Sequence, residues 1–403
     1  MKVIKRLALL VCLVLIILVY RSYANRTSGD TSQRIAGSYE PRTRTYYIAA
    51  EDAAWDYATE EETDPYTGAA IPRPWGPQTR YQKMRYVEYT DDTFTTKKPQ
   101  AAWLGILGPI IRGVEGDTIK VVFYNKAGPF PFVSPTNPPK PYSMHPHGLL
   151  YDKDNEGALM HTSEGEMEDQ EKMPSSMVKG AAAIREKMAR MAKGEAHEDK
   201  EKMASLPKGA GDEVMPGKKY TYTWHVWKQA APGPNEGGSK IWIYHSHVDP
   251  TQDIYDGLIG PIIITSARYA NSDGTPNDVS KEFVTMFMIF DESKPGMTDD
   301  QIEGSMKHAI NGYIFDNLPG LEMNKGEHVR WHLIGMGNEV DLHTPHWHAN
   351  VVLDRGAYTD VVDLLPATMK SVDMTADNPG LWMFHCHVSD HVKAGMTAMY
   401  KVK

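Results

Sequence analysis

The chain has 403 residues, enough for two or three domains with sizeable cores. Its 41% hydrophobic and 24% charged content is ordinary for a soluble globular protein. Forty-three Lys and Arg against 52 Asp and Glu give a net charge of −9, and the absence of any long basic run argues against nucleic acid as a partner.

At the N-terminus, MKVIKR is a positive segment followed by an apolar run from Leu7 to Tyr20, shorter than the ~20 residues of a membrane span. Ser22-Tyr23-Ala24 then offers a small-x-small cleavage pattern, so residues 1–24 read as an export signal, with an uncleaved membrane anchor as the alternative. Removal of this segment takes Cys12 with it and leaves Cys386 as the sole cysteine. An exported chain with one cysteine has no internal disulfide, and its thiol should be buried or metal-bound.

Residues 25–42 are polar and read as a flexible segment. From Thr43 onward, short runs rich in Val, Ile, Tyr and Trp alternate with Gly, Pro, Asn and Asp turns, as in GDTIKVVFYN, KIWIYHSH and LIGPIIIT. This is an all-β pattern. A turn-rich linker at 267–280 divides two series of such strands, predicting two β-sandwich domains at 43–266 and 281–403. The exception is an insertion at about 155–215, where MVKGAAAIREKMARMAKGEAHEDKEKMASL (177–206) places Met177, Ile184, Met188 and Met191 on one helical face.

The two halves also look like repeats. HPH at 145–147 matches HWH at 346–348, and HSHVDP…GLIGPIII (245–264) matches HCHVSD…GMTAMYKV (385–402). In that alignment Tyr142, Ser246 and Leu258 of the first half stand where the second has His343, Cys386 and Met396.

Ten of the sixteen histidines fall into four motifs: His145 and His147; His245 and His247; His343, His346 and His348; His385, His387 and His391. A single His-x-His pair is ordinarily one solvent-facing edge of a strand. Four such motifs, at matching places in two repeats, require a chemical reason. On a strand, Cys386 points away from His385 and His387, so one tripeptide can reach two sites. A thiolate, imidazoles and a weak thioether are the ligand set of blue-copper electron-transfer centres, and His391 and Met396 follow Cys386 at five-residue intervals.

These motifs resemble the four copper-binding signatures of the multicopper oxidases. The resemblance implies cupredoxin-like Greek-key domains, with a type 1 copper bound by His343, Cys386, His391 and axial Met396 in the second domain and none in the first. Type 2 copper would be held by His145 and His346. His147, His245 and His387 would hold one type 3 copper, and His247, His348 and His385 the other, making four coppers per chain. Cys386 would take up one electron at a time, and its flanking histidines would pass it to the trinuclear cluster that reduces dioxygen. Because each half supplies four trinuclear ligands, the resemblance to two-domain members implies a homotrimer with each cluster shared by neighbouring chains. A cluster within one chain is the alternative.

The segments YYIAAEDAAWDYA, LGILGPIIRGVEGDTIKVVFYN, HAINGYIFDNLPGL and IGMGNEVDLHT further resemble the ferroxidases of the ceruloplasmin and hephaestin type. That resemblance implies an iron site formed by Glu303, His308 and Asp390, with Glu339 donated by the neighbouring chain. Carboxylates favour Fe(III) over Fe(II), which makes bound iron a better reductant. The competing reading is that these are loop carboxylates of an acidic protein. Two other donors use the same coppers: phenols or amines at a laccase-like pocket, or Cu(I) recruited by the methionines of the insertion, since thioethers suit Cu(I).

Overall fold

The computed structural model describes residues 39–58, 78–127, 140–158 and 208–403. The export signal or anchor at 1–24, most of the segment 25–42, and residues 159–207 of the insertion, with its expected helix, lie outside them. No helix among the described residues is long and apolar enough to cross a membrane.

In the first half the strands are β1 (Thr43–Asp56), β2 (Arg80–Tyr89), β3 (Ile111–Val114), β4 (Thr118–Asn125), β5 (His145–Pro146), β6 (Lys219–His225), β7 (Ser239–His245) and β8 (Ile259–Thr265). The second half follows with β9 (Lys281–Asp291), β10 (Met306–Ile310), β11 (Glu322–Met323), β12 (His328–Gly335), β13 (Pro345–Trp347) and β14 (Val352–Asp354). It continues with β15 (Ala357–Thr359), β16 (Thr368–Thr375), β17 (Gly380–Cys386) and β18 (Thr397–Val402). Among the described residues, three short α-helices complete the frame: α1 (Gln252–Asp256), α2 (Asp299–Ser305) and α3 (Ser389–Lys393).

The internal repeat is visible in the pairing. The first half builds sheets β2-β1-β4-β6 and β3-β8-β7-β5; the second builds β10-β9-β12-β16 and β11-β18-β17-β13 in the same order, adding only a β14-β15 hairpin beside β16. The parallel contacts recur as well, with β1 on β4 matched by β9 on β12, and β3 on β8 matched by β11 on β18. Closing each sandwich this way buries one face of every sheet in a core of its own half.

The seam between the halves explains two strands that lack alternation. In β9 (KEFVTMFMIFD), Phe283, Phe287 and Ile289 face the core of the second half, while Val284, Met286, Met288 and Phe290 face a second apolar layer. Strand β8 does the same from the other side, with Ile262 and Ile264 inward and Ile259 and Ile263 in the shared layer. A strand covered on both faces has no reason to alternate. The described residues from Glu40 to Lys403 accordingly form one compact unit.

Polar ties cross the same seam. Glu282 of β9 accepts hydrogen bonds from Ser239 Oγ of β7 at 2.8 Å and from Arg112 of β3 at 2.7 Å. Its third partner is His332 of β12, whose Nε2 donates at 3.0 Å. Burial alone would raise the Glu282 carboxyl, but His332 and Arg112 more than offset this and hold it at about 2. Elsewhere, Lys83 of β2, almost fully buried, pairs with Glu292 beyond the end of β9, and Tyr57 donates to the same carboxylate.

Candidate metal centre

Strands β5 and β7 set His145 opposite His245, and β13 and β17 set His346 opposite His385 in the equivalent register. Each pairing gathers four imidazoles at the end of its sheet. In the first half, His147 Nε2 lies 3.1 Å from His245 Nε2, and the rings of His145 and His247 are 5.2 Å apart. In the second, His385 Nε2 lies 3.1 Å from both His346 Nδ1 and His348 Nε2, with the His387 ring 5.1 Å from that of His346. Every ring contact among these eight histidines falls inside one quartet or the other.

Three of the outer ring nitrogens are committed to backbone. Nδ1 of His245 donates to the Ser246 carbonyl and Nδ1 of His385 to the Cys386 carbonyl, both at 2.8 Å, while His145 Nδ1 meets the Glu156 carbonyl at 2.8 Å. Such bonds fix the tautomer and turn Nε2 inward as a lone pair. His385 Nε2 therefore presents one lone pair to two other ring nitrogens at once, an arrangement that a cation satisfies and a single proton does not. Burial keeps the rings neutral: first by desolvation and then by their neighbours, His147 is pushed down to about 4 and His245 to about 3. His346 and His385 are lowered for the same first reason. Neutral imidazoles are the form that binds metal. Both quartets reach the surface, since His348 and His387 are exposed and His145, His147 and His247 are half-buried.

Cys386, one residue on from His385 along β17, faces the opposite way into the core of the second half. Its Sγ lies 3.5 Å from His391 Nδ1 and 3.9 Å from His343 Nδ1, and all three side chains are buried. Met396, fully buried, donates its amide to the His391 carbonyl and accepts the Cys386 amide at its own carbonyl. Burial by itself would raise the thiol, but His343, His391 and the Thr344 and Val388 amides together pull it down to about 6. A pocket that stabilises thiolate beside two imidazoles suits a soft, redox-active metal such as copper.

The equivalent position in the first half is closed. Ser246 accepts the Ser143 amide at 3.2 Å, as Cys386 accepts that of Thr344 at 3.4 Å, but its hydroxyl donates to the buried Asp253 carboxylate at 2.6 Å. Lys140 neutralises Asp253 from 2.6 Å. With Tyr142 and Leu258 fully buried around it, a hydrogen-bonded ion pair fills the place of a ligand set.

Of the four residues expected to hold iron, His308 has its ring 5.2 Å from that of His391 in the Cys386 centre. Desolvation, then the neighbouring His391, pushes it down to about 4. Glu303 near the end of α2, Asp390 in the first turn of α3 and Glu339 in the loop before His343 are all exposed, and they do not gather with His308 at ligand distance. Sequence reasoning missed Asp341, a fully buried carboxylate 3.3 Å from His343 Nε2. Its position two residues before His343 was a usable signal, overshadowed by the more conspicuous Glu339.

A family described as multicopper oxidase matches residues 290–403, the span that holds β10 to β18 and the whole Cys386 centre. These residues form a multicopper oxidase domain. The chain is 36% identical over 390 residues to ferroxidase HEPHL1 of Mus musculus. It is 35% identical over 395 residues to hephaestin of Homo sapiens and 33% over 390 residues to ceruloplasmin of Rattus norvegicus. These alignments cover 89%, 89% and 90% of this chain but only 29%, 28% and 32% of those proteins. The chain thus spans less than a third of the length of the relatives it matches. In fold, it is similar to the crystal structure of a multicopper oxidase (TM-score 0.52, 17% identity, 90% of this chain and 89% of that one). The multicopper oxidase mgLAC is comparable (TM-score 0.52, 18% identity, 90% and 87%). With the repeated sheet order, this gives the all-β fold of two cupredoxin-like sandwiches.

Proposed function

We propose that the chain is an exported multicopper oxidase that takes single electrons from Fe(II) and delivers them to dioxygen, yielding water. The observation that carries this reading is the segment His385-Cys386-His387 at the end of β17, which joins a buried thiolate centre to an open imidazole quartet through one stretch of backbone. Copper held at His343, Cys386, His391 and Met396, and in the histidine quartets, would supply reversible one-electron chemistry.

The protein's own residues perform the remaining tasks. The buried pocket around Cys386 excludes water and keeps the sulfur ionised. His385 and His387 anchor the same strand in the quartet, so the route between the two centres is covalent and short. The plugged position at Ser246, Asp253 and Lys140 confines electron uptake to the second half. Each quartet is half a cluster, supplying one type 2 ligand (His145 or His346) and three type 3 ligands (His147, His245 and His247, or His348, His385 and His387). The two meet when copies of the chain assemble head to tail into a closed homotrimer holding four coppers per chain.

Iron is the favoured donor because the sequence is similar to ferroxidases and because His308 packs directly on His391. Glu303 and Asp390, exposed on α2 and α3, would have to close on it when iron binds, and Glu339 would reach it from the neighbouring subunit. Phenols and Cu(I) are the competing donors, the latter through the methionines of the insertion. The N-terminal segment would either be removed or retain the enzyme at a membrane.

The test is oxygen uptake by copper-loaded protein with Fe(II), Cu(I) and a phenol compared side by side. A kcat/KM preference for Fe(II) that disappears in Glu303→Ala/His308→Ala, with phenol turnover preserved, supports the ferroxidase. A preference for Cu(I) or phenol that ignores those substitutions rejects it and leaves the copper chemistry standing.

A further inference from the structure

Asp341 is an unusual residue to find at zero exposure. Its carboxylate accepts the Ile289 amide at 2.7 Å through Oδ1 and the Asn338 amide at 2.8 Å through Oδ2. The same Oδ1 faces His343 Nε2 at 3.3 Å. The loop is shaped to admit it: Gly337 has φ +112, and a Cβ there would fall 2.1 Å from the Asp341 carboxylate oxygen. A buried carboxylate is costly unless several donors surround it, and here two amides and one imidazole do so.

The internal repeat supplies an independent observation. The alignment that sets His145 on His346 sets Lys140 on Asp341, Tyr142 on His343, Ser246 on Cys386 and Leu258 on Met396. Where the three ligand positions have lost their donors, the fourth position has changed from carboxylate to ammonium. Lys140 then turns to Asp253 instead. A carboxylate that only braced a loop would have no reason to change together with the ligand set.

We propose that Asp341 is a positioning residue for the metal held by His343, Cys386 and His391. It takes the Nε2–H of His343 and thereby leaves Nδ1, 3.9 Å from the Cys386 sulfur, as the nitrogen that would bind the metal. Carboxylate–histidine–metal relays of this kind orient the ring and raise its basicity. The inference rests on the reading of those three residues as type 1 ligands. It assigns the outer contact of His343 to Asp341, leaving the exposed Glu339 free for other duties.

Two measurements test it. In the wild-type apoprotein, nitrogen NMR of the labelled imidazoles should find a proton on Nε2 of His343, whether or not Nδ1 also carries one; a neutral ring protonated on Nδ1 alone overturns the proposal without any variant having to fold. In the second, apoprotein is titrated with Cu(II) alone against a competing chelator, following the thiolate-to-copper absorption. Asp341→Asn should bind about 10- to 100-fold more weakly at this site, with a shifted absorption band. Asn338→Ala, which loosens the same loop by removing the side-chain bond to Tyr255, should bind as wild type. Equal weakening in both variants, or none in Asp341→Asn, overturns the role. If wild-type protein develops no thiolate absorption, or Cys386→Ser keeps it, the type 1 reading itself fails.

Discussion

His346 stands opposite His385 in the β13–β17 ladder, in the register that sets His145 opposite His245 between β5 and β7. Two equivalent half-sites in one chain, each open at the surface, predict complementation between chains. Variants His147→Ala/His245→Ala and His348→Ala/His385→Ala should each be inactive alone. Dissociated, mixed in equal amounts and reassembled, they should recover about a quarter of wild-type oxygen uptake, the chance that two intact quartets meet across a random interface. A mixture that stays inactive would place the cluster within a single chain.

Cys386→Ser removes the thiolate, but the first half already carries Ser246 in the same frame, accepting an equivalent amide. The variant should therefore fold, losing on the order of 1 kcal/mol for an altered buried hydrogen bond. Thermal unfolding of the apoprotein would show a small drop in Tm. The copper-loaded protein should lose both its blue absorption and its turnover.

Glu282 gives the seam a pH dependence. Its carboxyl is held at about 2 in the folded protein against an unfolded value near 4.5. Between those values the unfolded chain binds more protons, so stability rises with pH across the window. The contribution is complete above the unfolded value, amounts to about 3 kcal/mol, and is lost as pH falls toward 2. Denaturant titrations of apoprotein from pH 6 to pH 2 should show this slope, flattened in Glu282→Gln. An unchanged slope in that variant would remove Glu282 from the account.

Lys83 and Glu292 join the halves through a buried ion pair shared with Tyr57. Lys83→Met leaves the carboxylate without its counter-charge and should cost about 3–5 kcal/mol. Adding Glu292→Gln should restore most of that loss, because no charge then remains buried. Chemical unfolding of the three proteins measures both steps, and a double variant as unstable as the single one would contradict the pairing.

The sequence by itself determined the elements and the donors. Period-two alternation and turn residues marked the strands, and the repeated His-x-His motifs, with Cys386 inserted in the last, marked both the duplication and the metal chemistry. These signals are local, resting on side-chain spacing along one strand, which is why the linear sequence carries them. Tertiary structure decided what depends on contacts between distant segments. It made β8 and β9 doubly buried across the seam, where the sequence showed only apolar runs. It filled the first half's vacant ligand position with Ser246, Asp253 and Lys140, and it turned Asp341 inward while leaving Glu339 in solvent. Two carboxylates two residues apart look alike in a sequence. Packing separates them, because only the one that meets the Ile289 and Asn338 amides and the His343 ring has its desolvation offset.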